Sequence, residues 1–176
     1  MQYGICNETF GNWPLKRICE FAADTGYTGI EIAPFTLGEN PHELSSNQRG
    51  DLRRIIAQAG LECIGLHWLL AKTDGLHVTS PDAATRSRTI SYLTELARLC
   101  RDLGGKTLVF GSPQQRSLVA DVTEQDAHLF LQEVFSALVP VLEETDTVLA
   151  LEPLAPIETD VLTTADETRR LIDLIG

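Results

Sequence analysis

Val148-Leu149-Ala150-Leu151-Glu152-Pro153 is the stretch on which the fold turns. Four consecutive apolar residues are the pattern of a strand buried on both faces, as in a parallel sheet covered by helices. Pro153 has no N–H to give to a neighbouring strand, so regular pairing stops there. The carboxylate of Glu152 is thereby presented at a strand tip. A carboxylate at the end of an apolar run must be satisfied or used. Chemistry and a salt bridge to a neighbouring cation remain equal readings from the spacing alone.

Outward from this strand, the same unit repeats. Upstream, Lys106 to Phe110, Cys63 to Leu66, Gly29 to Ala33 and Tyr3 to Cys6 are short strand candidates. Each is followed by an amphipathic segment. Pro14 to Thr25 places Leu15, Ile18, Cys19 and Ala22 at helical spacing. Ser45-Ser46-Asn47-Gln48 caps a helix with the inner stripe Leu52, Ile55, Ile56 and Ala59, and Gly60 ends it. Ser80-Pro81 suits the start of a helix running to Leu103. A helix is expected from Glu124 to Glu144, with Pro140 kinking it or ending it early. Thr164-Ala165-Asp166-Glu167 is a capping box for a last helix near Ile175. Five βα units predict a parallel sheet with right-handed crossovers. A doubly wound domain and a barrel stopped after five units both fit, since a full barrel runs to about 250 residues. G-x-G-x-x-G does not follow the first strand, and G-x-x-x-x-G-K-[ST] does not occur, which removes the usual nucleotide reasons for a doubly wound sheet.

Composition narrows the function classes. The net charge is −11 and the pI about 4.7, against the cationic face that nucleic-acid binding needs. Arg49, Arg53 and Arg54 read as a solvated helix face. No stretch approaches the ~20 apolar residues of a membrane helix. The start, Met1 to Ile5, lacks a basic region followed by an apolar run, so a cytoplasmic protein is expected. Cys6, Cys19, Cys63 and Cys100 form no C-x-x-C pair and read as buried, reduced thiols.

Active sites of both architectures lie at the carboxyl ends of the strands. The polar residues there are Asn7, Glu8, Glu31, His67, Ser112, Gln114 and Glu152. His67 can bond an oxyanion or hydroxyl, with a satisfied core histidine as the alternative. Glu31 either points into the mouth or pairs with a cation. Trp13 and Trp68 either stack on a ligand or pack loops onto the sheet. Glu158 lies in the following loop, where a glutamate is usually solvated. His42, His77 and His128 have no partner spacing.

Three segments carry a resemblance. Gly26-Tyr27-Thr28-Gly29-Ile30-Glu31, Gly65-Leu66-His67 and Leu151-Glu152-Pro153-Leu154 through Glu158-Thr159-Asp160 resemble strand ends two, three and five of the sugar phosphate isomerase/epimerase family, the xylose isomerase-like TIM barrels. The resemblance runs through residues 1–176 in order. It implies a single-domain (β/α) TIM-type barrel, truncated after about five units. It implies a divalent metal, manganese or magnesium, and proton transfer beside the carbonyl of a sugar or sugar phosphate through an enediolate. Glu152 matches the family's glutamate that is both metal ligand and proton carrier. Glu158 matches a loop glutamate that contacts the substrate and His67 a substrate-binding position; Glu31 and Trp68, placed at the mouth by their own spacing, are added as substrate-binding candidates. The remaining ligands of the family, an aspartate, a histidine and a second glutamate, come from strands six to eight, after Gly176. Pro156 stands where related loops often carry arginine. The resulting expectation is a metal-dependent sugar isomerase or epimerase. The alternatives are an inosose dehydratase-like lyase of the same fold, or a non-catalytic sugar-binding partial barrel. Two free sheet edges make a homo-oligomer the expected state; neither nucleic acid nor membrane is an expected partner.

Overall fold

The computed structural model describes all residues, Met1–Gly176. Strands β1 (Gly4–Cys6), β2 (Gly29–Ile32), β3 (Glu62–His67), β4 (Thr107–Phe110) and β5 (Val148–Leu151) form one parallel sheet in sequence order. Helices α1 (Leu15–Asp24), α2 (Ser46–Gln58), α3 (Ala83–Leu103), α4 (Glu124–Thr145) and α5 (Ala165–Ile175) alternate with them. A doubly wound sheet would bury its first strand between others. Here β1 and β5 are the two edges, so the architecture is an arc of a (β/α) barrel.

Local chemistry sets the helix starts. Ser45 and Gln48 form the expected capping box of α2, and Thr123 with Asp126 forms another at α4. Three expectations change. The N-cap of α3 is Asp82 rather than Ser80, because its carboxylate accepts from the Ala84 and Thr85 amides. α4 continues through Pro140 to Thr145, its apolar face (Leu131, Val134, Phe135, Leu138, Val141) remaining buried. Arg49 is buried rather than solvated: it joins α2 to α3 through Glu95 at 3.3 Å and Asp102 at 3.0 Å.

The core lies between the sheet and the helices. Ile30, Ile32, Leu66, Leu108 and Phe110 pack there, all essentially inaccessible, with Phe110 edge-on to Phe135 at 5.1 Å. Where β3 meets β4, a Cβ on Gly65 would stand 1.8 Å from the Thr107 carbonyl oxygen, so only glycine permits this close approach.

Candidate active site at the carboxyl ends of the strands

Side chains alternate along a strand. Since Ile30 and Ile32 face the helices, half-exposed Glu31 faces the other way, into the concave side of the arc. By the same alternation His67 and Val109 share that face, between buried Leu66, Leu108 and Phe110. The register aligns His67 with Val109 and Val109 with Ala150. Glu152, two residues past Ala150, falls on the same face one step higher, its N–H bonded to the Phe110 oxygen at 3.1 Å. Glu31, His67 and Glu152 thus share one concave face. Cys6 is Glu31's register partner and is half-exposed, not buried as expected of all four thiols. Burial pushes its thiol up to about 11, and the charges of Glu8 and Glu31 add to this.

The surroundings of Glu152 are specific. A Cβ on Gly111, just past β4, would stand 2.6 Å from Glu152 Oε2, so the absence of a side chain there makes room for the carboxylate. The Glu152 carbonyl accepts from Arg116 Nη1 at 2.8 Å. Arg116 is fully buried, and burial lowers its basicity against the opposing influence of Glu152, Glu167 and Glu158. Neither Arg116 nor Gly111 stood out in the sequence. Pro113-Gln114-Gln115-Arg116-Ser117 has the composition of a solvated turn, and the partners of Arg116 are main-chain oxygens far along the chain.

Glu158 is exposed in the loop after β5, its Oε2 accepting from the Ala155 amide at 3.2 Å. Trp68 is half exposed and lies beside His67, with 6.0 Å between ring centroids. Together with Trp13, Phe35, Glu8, Asn12 and Lys72 it lines a cleft of ≈ 510 Å³ at the mouth. Trp13 also packs its loop, against Phe10 and Phe21. A larger cavity, ≈ 640 Å³, opens among Tyr3, Ile64 and Lys106 at the opposite, amino-terminal ends of the strands, the end that serves stability in this architecture.

Backbone strain gathers at the mouth. Trp68 (φ 57°), Lys72 (φ 59°), Ser112 (φ 39°) and Leu162 (φ 55°) are left-handed, and all lie in loops leaving the carboxyl ends. Hydrogen bonds join these loops to one another. The Ser112 hydroxyl accepts from the Leu70 amide at 3.1 Å, and Asp160 accepts from the Leu118 amide at 3.1 Å.

A second group of ligand-type side chains lies elsewhere. Glu124, His128 and Glu167 offer three atoms within 4.8 Å of one another, between α4 and α5 in the helical layer. Within this trio Glu167 is already engaged. It accepts from the Leu162 amide at 2.6 Å and the Thr163 amide at 2.8 Å, and its Oε1 lies 3.1 Å from His128 Nε2. It serves there as a brace for the loop, and is distinct from the carboxylate at the mouth.

A barrel arc with polar groups collected at the carboxyl ends defines the class of (β/α)-barrel proteins with a site at that end. Residues 19–176 match the family described as xylose isomerase-like TIM barrel, and the chain belongs to that family. Among solved structures, D-psicose 3-epimerase with D-tagatose from Clostridium cellulolyticum H10 superposes with a TM-score of 0.83 at 18% identity, covering 100% of this chain and 60% of that one. L-ribulose 3-epimerase gives 0.79 at 22%, covering 100% and 58%. 3-Keto-D-glucoside 4-epimerase from E. coli gives 0.80 at 17%, covering 99% and 64%. At such identities the likeness is one of fold. The chain spans about three-fifths of the length of these structures. No curated protein matches it. No helix is long and apolar enough to cross a membrane.

Proposed function

We propose that residues 1–176, as a single partial-barrel domain, carry part of the active site of a metal-dependent sugar or sugar-phosphate isomerase or epimerase. The observation that carries this reading is the shared concave face of Glu31, His67 and Glu152 at the carboxyl end of the sheet. Sugar epimerases of the same fold support the substrate class.

The residues fit a hard divalent ion. The hydrogen bonds of Glu152 run through its main chain, which leaves its carboxylate for other partners. An oxygen donor of this kind suits manganese or magnesium. When bound, such an ion polarises a substrate carbonyl and offsets the charge that develops on its oxygen. Glu152 is the residue here that would hold it, and its carboxylate would also take a proton from the carbon beside that carbonyl. His67 and Glu31 bond substrate hydroxyls on the concave face, Trp68 lies against the sugar's apolar side, and Glu158 closes over it from the loop.

Glu152→Gln keeps the shape and removes both the charge and the basic site. In the active protein that contains this domain, turnover on a panel of ketoses and their phosphates falls by at least ~10²-fold, the usual worth of a general base. Manganese affinity falls with it. Kinetics within a few-fold of wild type would show that Glu152 has only a structural role.

A further inference from the structure

We propose that Arg116 is the positioning residue of this site, fixing through its guanidinium both ends of the segment that carries Glu152 and Glu158. The role of the two glutamates rests on the function proposed above, whereas the tether itself does not.

Three observations meet at this residue. First, Arg116 is fully inaccessible, and its fork reaches two main-chain oxygens ten residues apart in sequence. Nη1 donates to the Glu152 oxygen at 2.8 Å and Nη2 to the Leu162 oxygen at 3.4 Å. Second, the chain between those points leaves the sheet and returns. The Leu154 amide donates to the same Leu162 oxygen at 3.2 Å, which closes the loop around Glu158. Third, Leu162 is held in a conformation it would not choose. It is buried with φ 55°, a left-handed backbone that is costly for a leucine. Its N–H is gripped by Glu167 and its oxygen by Arg116.

The choice of partners separates positioning from simple charge pairing. A buried guanidinium normally takes a carboxylate in a two-point bond. Arg116 instead spends Nη1 and Nη2 on carbonyls, and its Nε is buried without a partner. Glu152, Glu158 and Glu167 are close enough to offset its charge. The segment is therefore held while the Glu152 carboxylate stays available over Gly111. A lysine could keep the charge, but as a point donor it cannot reproduce the planar fork.

The test uses the full 176-residue chain, as wild type, Arg116→Lys and Arg116→Met, with Glu152→Gln as a reference. Hydrogen exchange is read at the Leu154 and Leu162 amides and, for comparison, in β4, β5 and α4. Manganese affinity is read from free Mn²⁺ by paramagnetic resonance. In Arg116→Lys the two loop amides exchange about tenfold faster or more, as expected for losing a charge-assisted bond, while the strand and helix amides keep their rates. Manganese affinity falls about tenfold, the usual effect of removing a group that orients a ligand. Glu152→Gln weakens manganese binding and leaves the loop amides unchanged. Unchanged loop exchange in both Arg116 variants would overturn the tether. Faster exchange spread evenly over β4, β5 and the loop would overturn it too, since that marks a global loss of stability. A loosened loop with manganese affinity intact would overturn the positioning role. Since further ligands are expected after Gly176, binding is read up to millimolar Mn²⁺; a wild type that binds none there overturns the positioning role in this chain, while the exchange measurement still decides the tether.

Discussion

The two faces of the sheet are made by the same strands and have opposite characters. On the convex face Ile30, Ile32, Leu66, Leu108 and Phe110 are sealed under helices. On the concave face Glu31, His67, Val109 and Ala150 alternate with them and stay half-exposed, and Ile64, at the register shift that resets the alternation in β3 before Leu66, is 37% exposed. One face supplies the free energy of folding, and the other holds polar groups that would be costly to bury unpaired. The difference shows that a two-residue period separates sealed apolar side chains from half-exposed polar ones within a single strand. Ile30-Glu31-Ile32 is the shortest instance.

The largest expected effect comes from breaking the sealed face. Phe110→Ala should cost about 3–5 kcal/mol, combining lost burial with a cavity beside Phe135. Ile64→Ala, on the concave face, should cost about 1 kcal/mol, because much of that side chain already meets water. Denaturant unfolding measures both. Equal losses would mean that the two faces are packed alike.

The sealed face was the legible one. Apolar periodicity located all five strands and five helices to within a residue or two, because burial acts on residue type at fixed spacing. On the concave face, Glu31, His67 and Glu152 could be placed because each ends or interrupts an apolar run. Interactions across sequence distance were hidden. Arg49 looked like part of a basic cluster and is a buried link to Glu95 and Asp102. Arg116 looked like turn composition and is the most deeply enclosed cation, since main-chain carbonyls leave no signature in a sequence. His128 had no visible partner, and Glu167, from another helix, supplies one. Pro140 signalled a break that tertiary packing of α4 overrode.

A smaller effect sharpens the comparison at its boundary, where the helical layer braces the mouth. Glu167 is partly desolvated, which raises its carboxyl pKa. Bonds from the Leu162 and Thr163 amides and the nearby charge of His128 outweigh this and hold it below its ordinary 4.5. Glu167→Gln should cost about 1–3 kcal/mol at neutral pH. A group with a lowered folded pKa contributes its full stability above the unfolded value and loses it as the pH falls through the folded one. The gap in melting temperature between wild type and variant should therefore be widest above 4.5 and narrow below it. A gap independent of pH would contradict this role.

The smallest effect probes the concave face itself. Cys6 is the half-exposed thiol, and its pKa of about 11, set first by burial, makes it a slow nucleophile. Glu31→Gln removes one of the neighbouring charges, so alkylation of Cys6 should quicken by about two- to fivefold at fixed pH. Mass spectrometry of timed iodoacetamide labelling reads this. An unchanged rate would mean that Glu31 does not face Cys6.

The central claim is that the chemistry resides at the carboxyl end of the concave face, around Glu152, and not in the helical layer. Paramagnetic broadening of amide signals during a manganese titration of the isotopically labelled chain tests it most directly. Signals around Glu31, His67, Gly111 and Glu152 should fade first, and Glu152→Gln should remove that fading. Fading that begins around Glu124, His128 and Glu167 and persists in Glu152→Gln would place the metal between α4 and α5 and contradict the account.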